Sequence, residues 1–389
     1  MSDQQTDTQT SSNNKSQQRK KGLSIFILLL LLISIGSAAY WYLFIKGFEE
    51  TEDAYVSGNQ VMVSAQVAGN IAKINVDNMD PVQAGDVLLE LDDTNAKLSF
   101  EQAKSNLANA VRQVSQLNYT VKQLKSAVRA NEITLAQAQG NLNRRVQLVK
   151  DGAIDKESFQ HAKEAVELAK ANLTTSQNQL GANQALLLDG PLSEQPQIQS
   201  AVSNLKQAWL NLERTKIRSP IKGYVARRNA QVGQAVSVGG ALMAVVTTDQ
   251  MWLDANFKET QLTHMRIGQP AEIHFDLYGK DKTFNGKVVG IEMGTGSAFS
   301  LLPTQNATGN WIKVVQRVPV RIQLDPQQLI ENPLRIGLSA TVKVNVSDSQ
   351  GETLRDQAPA TTLYSTNVLQ YDESAVNNLI ESIIHDNSY

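Results

Sequence analysis

Two short stretches of this chain match each other without a gap, although about 150 residues separate them. The stretches are 64-SAQVAGNIAKINVDNMDPVQAGDVLLELDD-93 and 218-RSPIKGYVARRNAQVGQAVSVGGALMAVVTTD-249. Their equivalent positions include Gly69 and Gly223, Gly85 and Gly239, and Leu88 and Leu242. Each stretch has the apolar alternation of strands but too few strands to be stable alone. We therefore expect them to be two halves of one small β-sandwich.

The residues between the halves follow a different period. Apolar side chains recur in steps of three and four from Ala96 to Val149, and again from Phe159 to Leu212. A sustained 3.5-residue repeat is the mark of a coiled coil. The frame breaks at 150-KDGAIDKESF-159, where Gly152 suits the end of one helix and Asp155 the start of the next.

The two helical arms have nearly equal lengths and a short connection. They should therefore fold back as an antiparallel hairpin, ~84 Å long from the helical rise. A parallel homodimeric coiled coil is the alternative, but it would hold the two β halves far apart. The second arm is interrupted at 189-DGPLSEQP-196, and the pattern leaves open whether the interruption kinks the arm.

The N-terminal region predicts a membrane anchor. Residues 1–22 are polar and should be disordered, whereas 23-LSIFILLLLLISIGSAAYWYLFI-45 carries no charge. At ~1.5 Å per residue this stretch spans roughly 34 Å, enough for a ~30 Å hydrocarbon core. A signal peptide cleaved after Ser37-Ala38-Ala39 is the alternative. Basic residues before the span predict a cytoplasmic N-terminus, and these are Lys15, Arg19, Lys20 and Lys21. The chain after residue 46 would then lie outside, in the periplasm if the cell is Gram-negative.

The chain after the second half predicts a β domain and a tail. Residues 249–347 have a period of two with recurring turn signals, which favours a small antiparallel β-barrel. A long loop within it carries apolar residues for which we expect a contact with a partner or a substrate, namely Phe299, Leu301, Leu302 and Trp311. Simple packing over the barrel mouth is the alternative. The final segment, 348–389, is polar and ends in an apolar stripe that predicts a short docked helix.

Composition and motifs exclude most chemistry. The chain has no cysteine and a net charge of −2, which removes thiol chemistry and gives no general attraction to nucleic acid. Its histidines, at positions 161, 264, 274 and 385, are scattered, and His264 and His274 lie ten apart with no carboxylate at metal-ligand spacing. Neither a phosphate-binding loop nor a nucleophile elbow occurs. We expect no catalytic residues, no metal and no cofactor.

Three stretches in order around an inserted hairpin resemble the periplasmic adaptor subunits called HlyD-type membrane fusion proteins. They are residues 51–71, 217–236 and 301–322, and the closest likeness is to the multidrug efflux adaptors of the EmrA type. The resemblance implies an elongated α+β multidomain chain with a split lipoyl- or biotinyl-like β-sandwich. The expected divisions are a cytoplasmic tail (1–22), a transmembrane helix (23–45), a first half (46–93), the hairpin with its tip near 150–155 (94–215), a second half (216–248), the barrel (249–347) and a C-terminal tail (348–389).

The resemblance also carries expectations for particular residues. Carrier versions of the β domain attach their cofactor to a lysine, and Asp93 stands in that place here, so the domain should act as a structural hub. In drug-efflux members an Arg…Leu…Ser pattern at the hairpin tip is thought to dock on the outer-membrane channel. Arg144 and Leu148 match that pattern, and Asp155 replaces its serine.

The function implied is that of a homo-oligomeric adaptor in a tripartite multidrug efflux system. It would bridge an inner-membrane major-facilitator exporter to a TolC-like outer-membrane channel. An adaptor of a type I protein secretion system with an ATP-driven exporter is the nearest alternative. An acyl-carrier enzyme subunit and a purely structural membrane-tethered coiled coil are alternatives from other classes.

Overall fold

The computed structural model describes residues 23, 26–37, 47–279, 281–296, 298, 315–355 and 362–388. The chain divides into two compact units, which are described separately. One contains residues up to 60 together with 246–365, and the other contains residues 61–245 and 366–389. The sequence alone groups 46–93 as one piece, whereas the structure places its beginning in the first unit.

Twelve strands and six helices are present among these residues. The strands are β1 Phe48–Ser64, β2 Gly69–Ile74, β3 Pro81–Val82, β4 Val87–Leu91, β5 Lys216–Arg218, β6 Gly223–Arg228, β7 Ala235–Val236, β8 Ala241–Lys258, β9 Pro270–Phe275, β10 Phe284–Ile291, β11 Arg317–Leu324 and β12 Ser339–Asn345. The helices are α1 over residues 26–37, α2 Thr94–Lys150, α3 Lys156–Gln184, α4 Pro196–Glu213, α5 Pro326–Glu331 and α6 Ser374–Asn387. Short 3₁₀ turns occupy Leu192–Glu194 and Glu259–His264.

The first unit is a closed six-stranded barrel. Its strand order is β1-β12-β9-β10-β11-β8, and β1 also pairs with β8 to close the circle. The five pairings whose registers are resolved run between antiparallel neighbours, as the period-two pattern predicts. Its interior is apolar, with Phe257, Phe275 and Phe284 almost completely buried. Burial of these large side chains supplies the hydrophobic driving force for closing the barrel.

The second unit contains a β module built from both matching stretches, called here the split β module (residues 61–93 and 216–245). A four-stranded sheet has the order β5-β4-β2-β7, so strands of the first half pair with strands of the second. The short strands β3 and β6 also pair across the halves. One hydrophobic core joins them, with Leu88 from the first half and Leu242 from the second both buried. Neither half could bury this core alone.

The chain between the two halves forms the helical hairpin. The 57 residues of α2 pack against α3 and α4, and the predicted seam positions Leu107, Val114 and Val121 are buried. Polar seam positions also meet, since Asn131 Nδ2 donates to Ser176 Oγ at 2.7 Å. Because this polar pair is half-buried between α2 and α3, it fixes the register of the two helices.

The interruption in the second arm ends one helix and starts another. α3 stops at Gln184, and α4 begins at Pro196 after the 3₁₀ turn. The buried Gln195 side chain holds the connection by donating to the Leu188 carbonyl and accepting from its N–H. Further along the chain, the apolar stripe of the tail forms α6, which packs on α2 and α4 with Val376 and Ile380 buried.

The predicted anchor lies partly outside the described residues. Residues 26–37 are helical, and their large apolar side chains are exposed in this single chain. Among the residues that the structure describes, no helix is both long enough and apolar enough to cross a membrane.

Candidate functional site

The tip of the hairpin is built by two complementary helix caps. At the end of α2, Gly152 adopts a φ of +70°, a left-handed conformation that glycine takes without strain. Its N–H donates to the Val149 carbonyl, and the Ala153 N–H donates to the Leu148 carbonyl at 2.9 Å. This pair of bonds is the Schellman arrangement, which satisfies carbonyls that the helix end would otherwise leave free. The short connection is therefore an ordered turn.

The start of α3 is capped by Asp155. Its carboxylate accepts a hydrogen bond from the Ser158 N–H at 3.3 Å. Hydrogen bonding from Ser158 holds the pKa of the Asp155 carboxyl below its ordinary value. Close by, Arg145 Nη1 donates to the Ser158 carbonyl at 2.7 Å and ties the end of one arm to the start of the other.

The structure places two of the three predicted tip residues on one surface. Arg144 and Leu148 lie one helical turn apart near the end of α2, and both are exposed, Leu148 by 43%. Arg144 donates to the Asn141 side chain of its own helix, so its guanidinium keeps further donors for a partner. Asp155 is exposed on the opposite arm, but its carboxylate already serves as a helix cap.

We predict that Asp155→Ala frays the first turn of α3. The amide of Ser158 should then exchange its hydrogen several-fold faster, whereas Asp155→Asn, which keeps an acceptor, should exchange at nearly the native rate. Because the folded-state pKa of Asp155 is lowered, the charged cap stabilises the helix at neutral pH. That contribution should be lost as the pH falls through the lowered pKa. Hydrogen exchange over an acidic pH series measures both effects, and equal exchange in all three proteins would contradict the capping role.

The second predicted site lies outside the described residues. Phe299, Leu301, Leu302 and Trp311 belong to the connection between β10 and β11, of which the structure describes only the ends. On those ends, Met293 and Val315 are exposed by 80% and 52%. The strand registers place these ends at the same end of the barrel as the start of β1, because Phe48 pairs with Asn345 and Arg317 pairs with Lys258.

The described part of the chain holds no cluster of metal-ligating side chains. It contains no group of three or more histidine, cysteine, aspartate or glutamate side chains that could hold a metal ion. His274 lies on β9 opposite Thr341, and its Nδ1 is buried without a hydrogen-bond partner. Among the described residues, its Nδ1 therefore has no neighbour that could orient the ring or exchange a proton with that nitrogen.

Sequence patterns did not predict the residues that hold the C-terminal segment to the hairpin and the split β module. They include Arg112 and Lys206 on the hairpin, Gln66 on the split β module, and Tyr371 and Glu373 in the tail. The apolar stripe on 374–387 was a signal for the helix itself. No sequence signal pointed to its polar partners, which lie more than 160 positions away.

The hairpin is inserted in a β module, the chain continues into a barrel, and the tip of the hairpin is ordered and exposed. Together these parts define a scaffold that presents a surface at the end of a long arm. Family models match the hairpin and the barrel: an EmrA α-helical hairpin domain matches residues 94–215, and an AaeA-like β-barrel domain matches residues 250–345. The chain belongs to the EmrA family of membrane fusion proteins, which are non-enzymatic periplasmic adaptors associated with membranes. Adaptors of this type oligomerise and bridge inner-membrane exporters to outer-membrane channels.

Two relatives at 78% and 49% identity support this membership. The multidrug export protein EmrA of Haemophilus influenzae is 78% identical over 357 residues, which are 92% of each chain. The multidrug export protein EmrA of Escherichia coli K12 is 49% identical over 355 residues, 91% of each chain. A solved structure of the periplasmic adaptor protein EmrA has a TM-score of 0.41 and 20% identity, and the match covers 77% of this chain and 98% of that one.

Proposed function

We propose that this chain is the adaptor of a tripartite multidrug efflux system. It would bridge an inner-membrane major-facilitator exporter to a TolC-like outer-membrane channel, and it would act as a homo-oligomer. The observation that carries the proposal is the exposed tip of the hairpin, with Arg144 and Leu148 on one face, in a chain whose relatives are multidrug export proteins. Export energy would come from the exporter.

The length of the hairpin supports a bridging role. The 57 residues of α2 correspond to ~85 Å of helix at the α-helical rise. The tip surface therefore lies far along the chain path from the split β module. An outer-membrane partner would be recognised by Leu148 as an apolar contact and by Arg144 as a donor to carboxylates or carbonyls.

The N-terminal region would hold the adaptor at the inner membrane. Large apolar side chains on every side of the helix at 26–37 are exposed, which is costly in water and favourable in lipid. We propose a single-pass anchor over 23–45. The basic cluster before it, from Lys15 to Lys21, would stay in the cytoplasm, and the rest of the chain would lie in the periplasm.

The barrel would face the exporter. Its first strand follows the proposed anchor, and the same end of the barrel carries the exposed ends of the β10–β11 connection. Apolar residues within that connection, Phe299, Leu301, Leu302 and Trp311, are therefore our candidates for contact with the exporter or its substrate.

The split β module would serve as a lipoyl-like hub without a cofactor. Pairing of strands across its halves and a shared core support that assignment. By family resemblance, Asp93 occupies the place of the carrier lysine, and it forms a salt bridge of 2.9 Å with Lys97 one helical turn on. A carboxylate cannot accept biotin or lipoate through an amide, so the position supports a structural role.

We predict that Arg144→Glu combined with Leu148→Asp abolishes drug tolerance. Loss of a central interface contact of this kind is expected to weaken channel binding by ~30-fold or more. Co-purification of the channel and the minimal inhibitory concentration of exported drugs measure the two effects in cells that lack their own adaptor.

The matched control is Leu168→Asp, an equally polar change at a shaft position of α3 that is 64% exposed. It should leave binding and tolerance unchanged. Native tolerance in the tip variant, or an equal loss in the shaft variant, would refute tip docking. An ATP-driven exporter in the co-purified complex would favour the protein-secretion alternative.

A further inference from the structure

The last described segment of the chain, residues 366–387, returns to the hairpin after the barrel is complete. It lies outside both regions that match family models, which end at residues 215 and 345. It belongs to the same compact unit as the hairpin and the split β module. Its contacts reach three different elements of that unit.

The lower part of this segment is fastened to the split β module and to the end of α4. Thr366 Oγ1 donates to the Pro220 carbonyl at 2.6 Å. The Tyr371 hydroxyl donates to Gln66 Oε1 at 3.3 Å. The ring of Tyr371 also meets Trp209 of α4 edge-to-face, with centroids 6.3 Å apart.

The upper part is fastened to both arms of the hairpin. Glu373 forms an ion pair of 2.8 Å with Lys206 of α4. Val376 and Ile380 of α6 are buried in the core that contains Leu107 of α2 and Leu205 of α4. At the far end, Arg112 Nη1 of α2 donates to the Asn387 side chain at 2.6 Å.

These contacts surround the joint between the split β module and the hairpin. The main chain passes between the split β module and the hairpin at residues 92–94 and again at 213–215. Two connecting segments that lie side by side define a hinge axis. A cleft of about 430 Å³ opens beside this joint, and its lining mixes polar side chains such as Gln66, Asp92 and Asn211 with apolar ones such as Val67 and Ala96. Bending at the joint would open or close this space.

We propose that residues 366–387 form a clamp that closes this hinge. The clamp is a third connection between the module and the hairpin, and Tyr371 is bonded to Gln66 on the wall of the cleft. A bend of about 10° at the hinge would move a tip ~85 Å away by about 15 Å. The clamp therefore sets where the tip is presented. This role does not depend on which exporter or channel the chain meets.

The contacts also decide against a membrane-surface role for α6. Its two central apolar side chains are buried against the hairpin, with Val376 exposed by 2% and Ile380 by 7%. The helix carries no lysine or arginine that could attract anionic lipid.

Spin labels on the full-length chain test the clamp. Because the chain has no cysteine, Gln83→Cys and Lys125→Cys provide one label on the module and one on the hairpin, both at exposed positions. The native chain should give one narrow distance distribution by electron–electron double resonance. Val376→Asp with Ile380→Asp should broaden it about twofold, because a released hinge samples several angles.

A second variant guards against simple misfolding of the core. Thr366→Val with Tyr371→Ala leaves α6 and its buried residues intact and removes only the lower attachments. It should also broaden the distribution, whereas Tyr371→Phe, which keeps the ring contact with Trp209, should broaden it less. A distribution as narrow as the native one in both clamp variants would overturn the proposal. If the clamp instead docks on a neighbouring copy, the distance distribution of the labelled native chain should change when that chain is diluted with unlabelled chain. This result would also overturn the proposal.

Discussion

Truncating Leu88 or Leu242 to alanine is expected to lower the free energy of unfolding of the split β module by about 2–5 kcal/mol. The two leucines occupy equivalent positions of the internal repeat, and both are essentially inaccessible to solvent, at 0% and 1% exposure. Each truncation would remove apolar contacts and leave a cavity in a core that both halves share. The effect is large because a module this small has little other apolar surface to bury.

The decisive measurement is where the destabilisation appears. Hydrogen exchange followed by peptide mass should show Leu242→Ala weakening protection in β4 of the first half as much as in β6 of the second. Leu88→Ala, in the first half, should likewise weaken protection in β6 of the second half as much as in β4, because one core supports both halves. Leu98→Ala, at a position of α2 that is 64% exposed, is the control and should change stability by less than about 0.5 kcal/mol. Protection lost only in the mutated half would mean that the halves fold separately.

The internal repeat was the part of the fold that the sequence predicted best, because its evidence is local and duplicated. The likeness extends to the backbone: Met79 has a φ of +74°, and Gly233, its equivalent in the second half, has a φ of +82°. A left-handed methionine is unusual, since this conformation strains any residue with a Cβ. The turn that both halves share therefore dictates the left-handed conformation at this position, although the residue type differs between the halves.

The hairpin was also predictable, because a heptad repeat records which face of each helix is covered. The repeat could not say what the interruption does to the second arm. The helix breaks after Gln184, and Leu187 and Leu192 pack against a core to which α6, almost 200 positions further on, contributes Val376 and Ile380. An apolar stripe predicts that a helix docks somewhere, but the place where it docks depends on a groove that exists only after folding.

The barrel shows the same limit. Alternating residues from 249 to 347 predict strands, yet they do not reveal that β1, which precedes the hairpin, completes the circle between β12 and β8. Pairing between segments so distant in sequence leaves no local signal. At the tip, the helix caps at Gly152 and Asp155 were readable from residue type. The channel contact of Arg144 and Leu148 rests on resemblance and stays a prediction.

The second large effect is expected for Phe275→Ala, which should destabilise the barrel by about 3–5 kcal/mol. Phe275 is completely buried, and its ring meets Phe284 edge-to-face with centroids 4.8 Å apart. The Tyr278 ring also meets Phe284, with centroids 5.6 Å apart. Removing the Phe275 ring would therefore leave a cavity and also break an aromatic cluster.

Two tryptophans can report this change unit by unit. Trp252 lies on β8 of the barrel, beneath the Arg321 guanidinium at 4.3 Å, and Trp209 lies on α4 of the hairpin. Replacing Trp41 and Trp311 by phenylalanine, and then either Trp209 or Trp252, leaves a single reporter in each protein. Phe275→Ala should shift the denaturant midpoint seen by Trp252 and leave the midpoint seen by Trp209 in place, because the two residues belong to different compact units. Leu277→Ala, at a position 49% exposed, is the control and should shift neither midpoint. If both midpoints shifted together in Phe275→Ala, the prediction would be wrong. The two units would then unfold cooperatively, and a change in the barrel would also destabilise the hairpin.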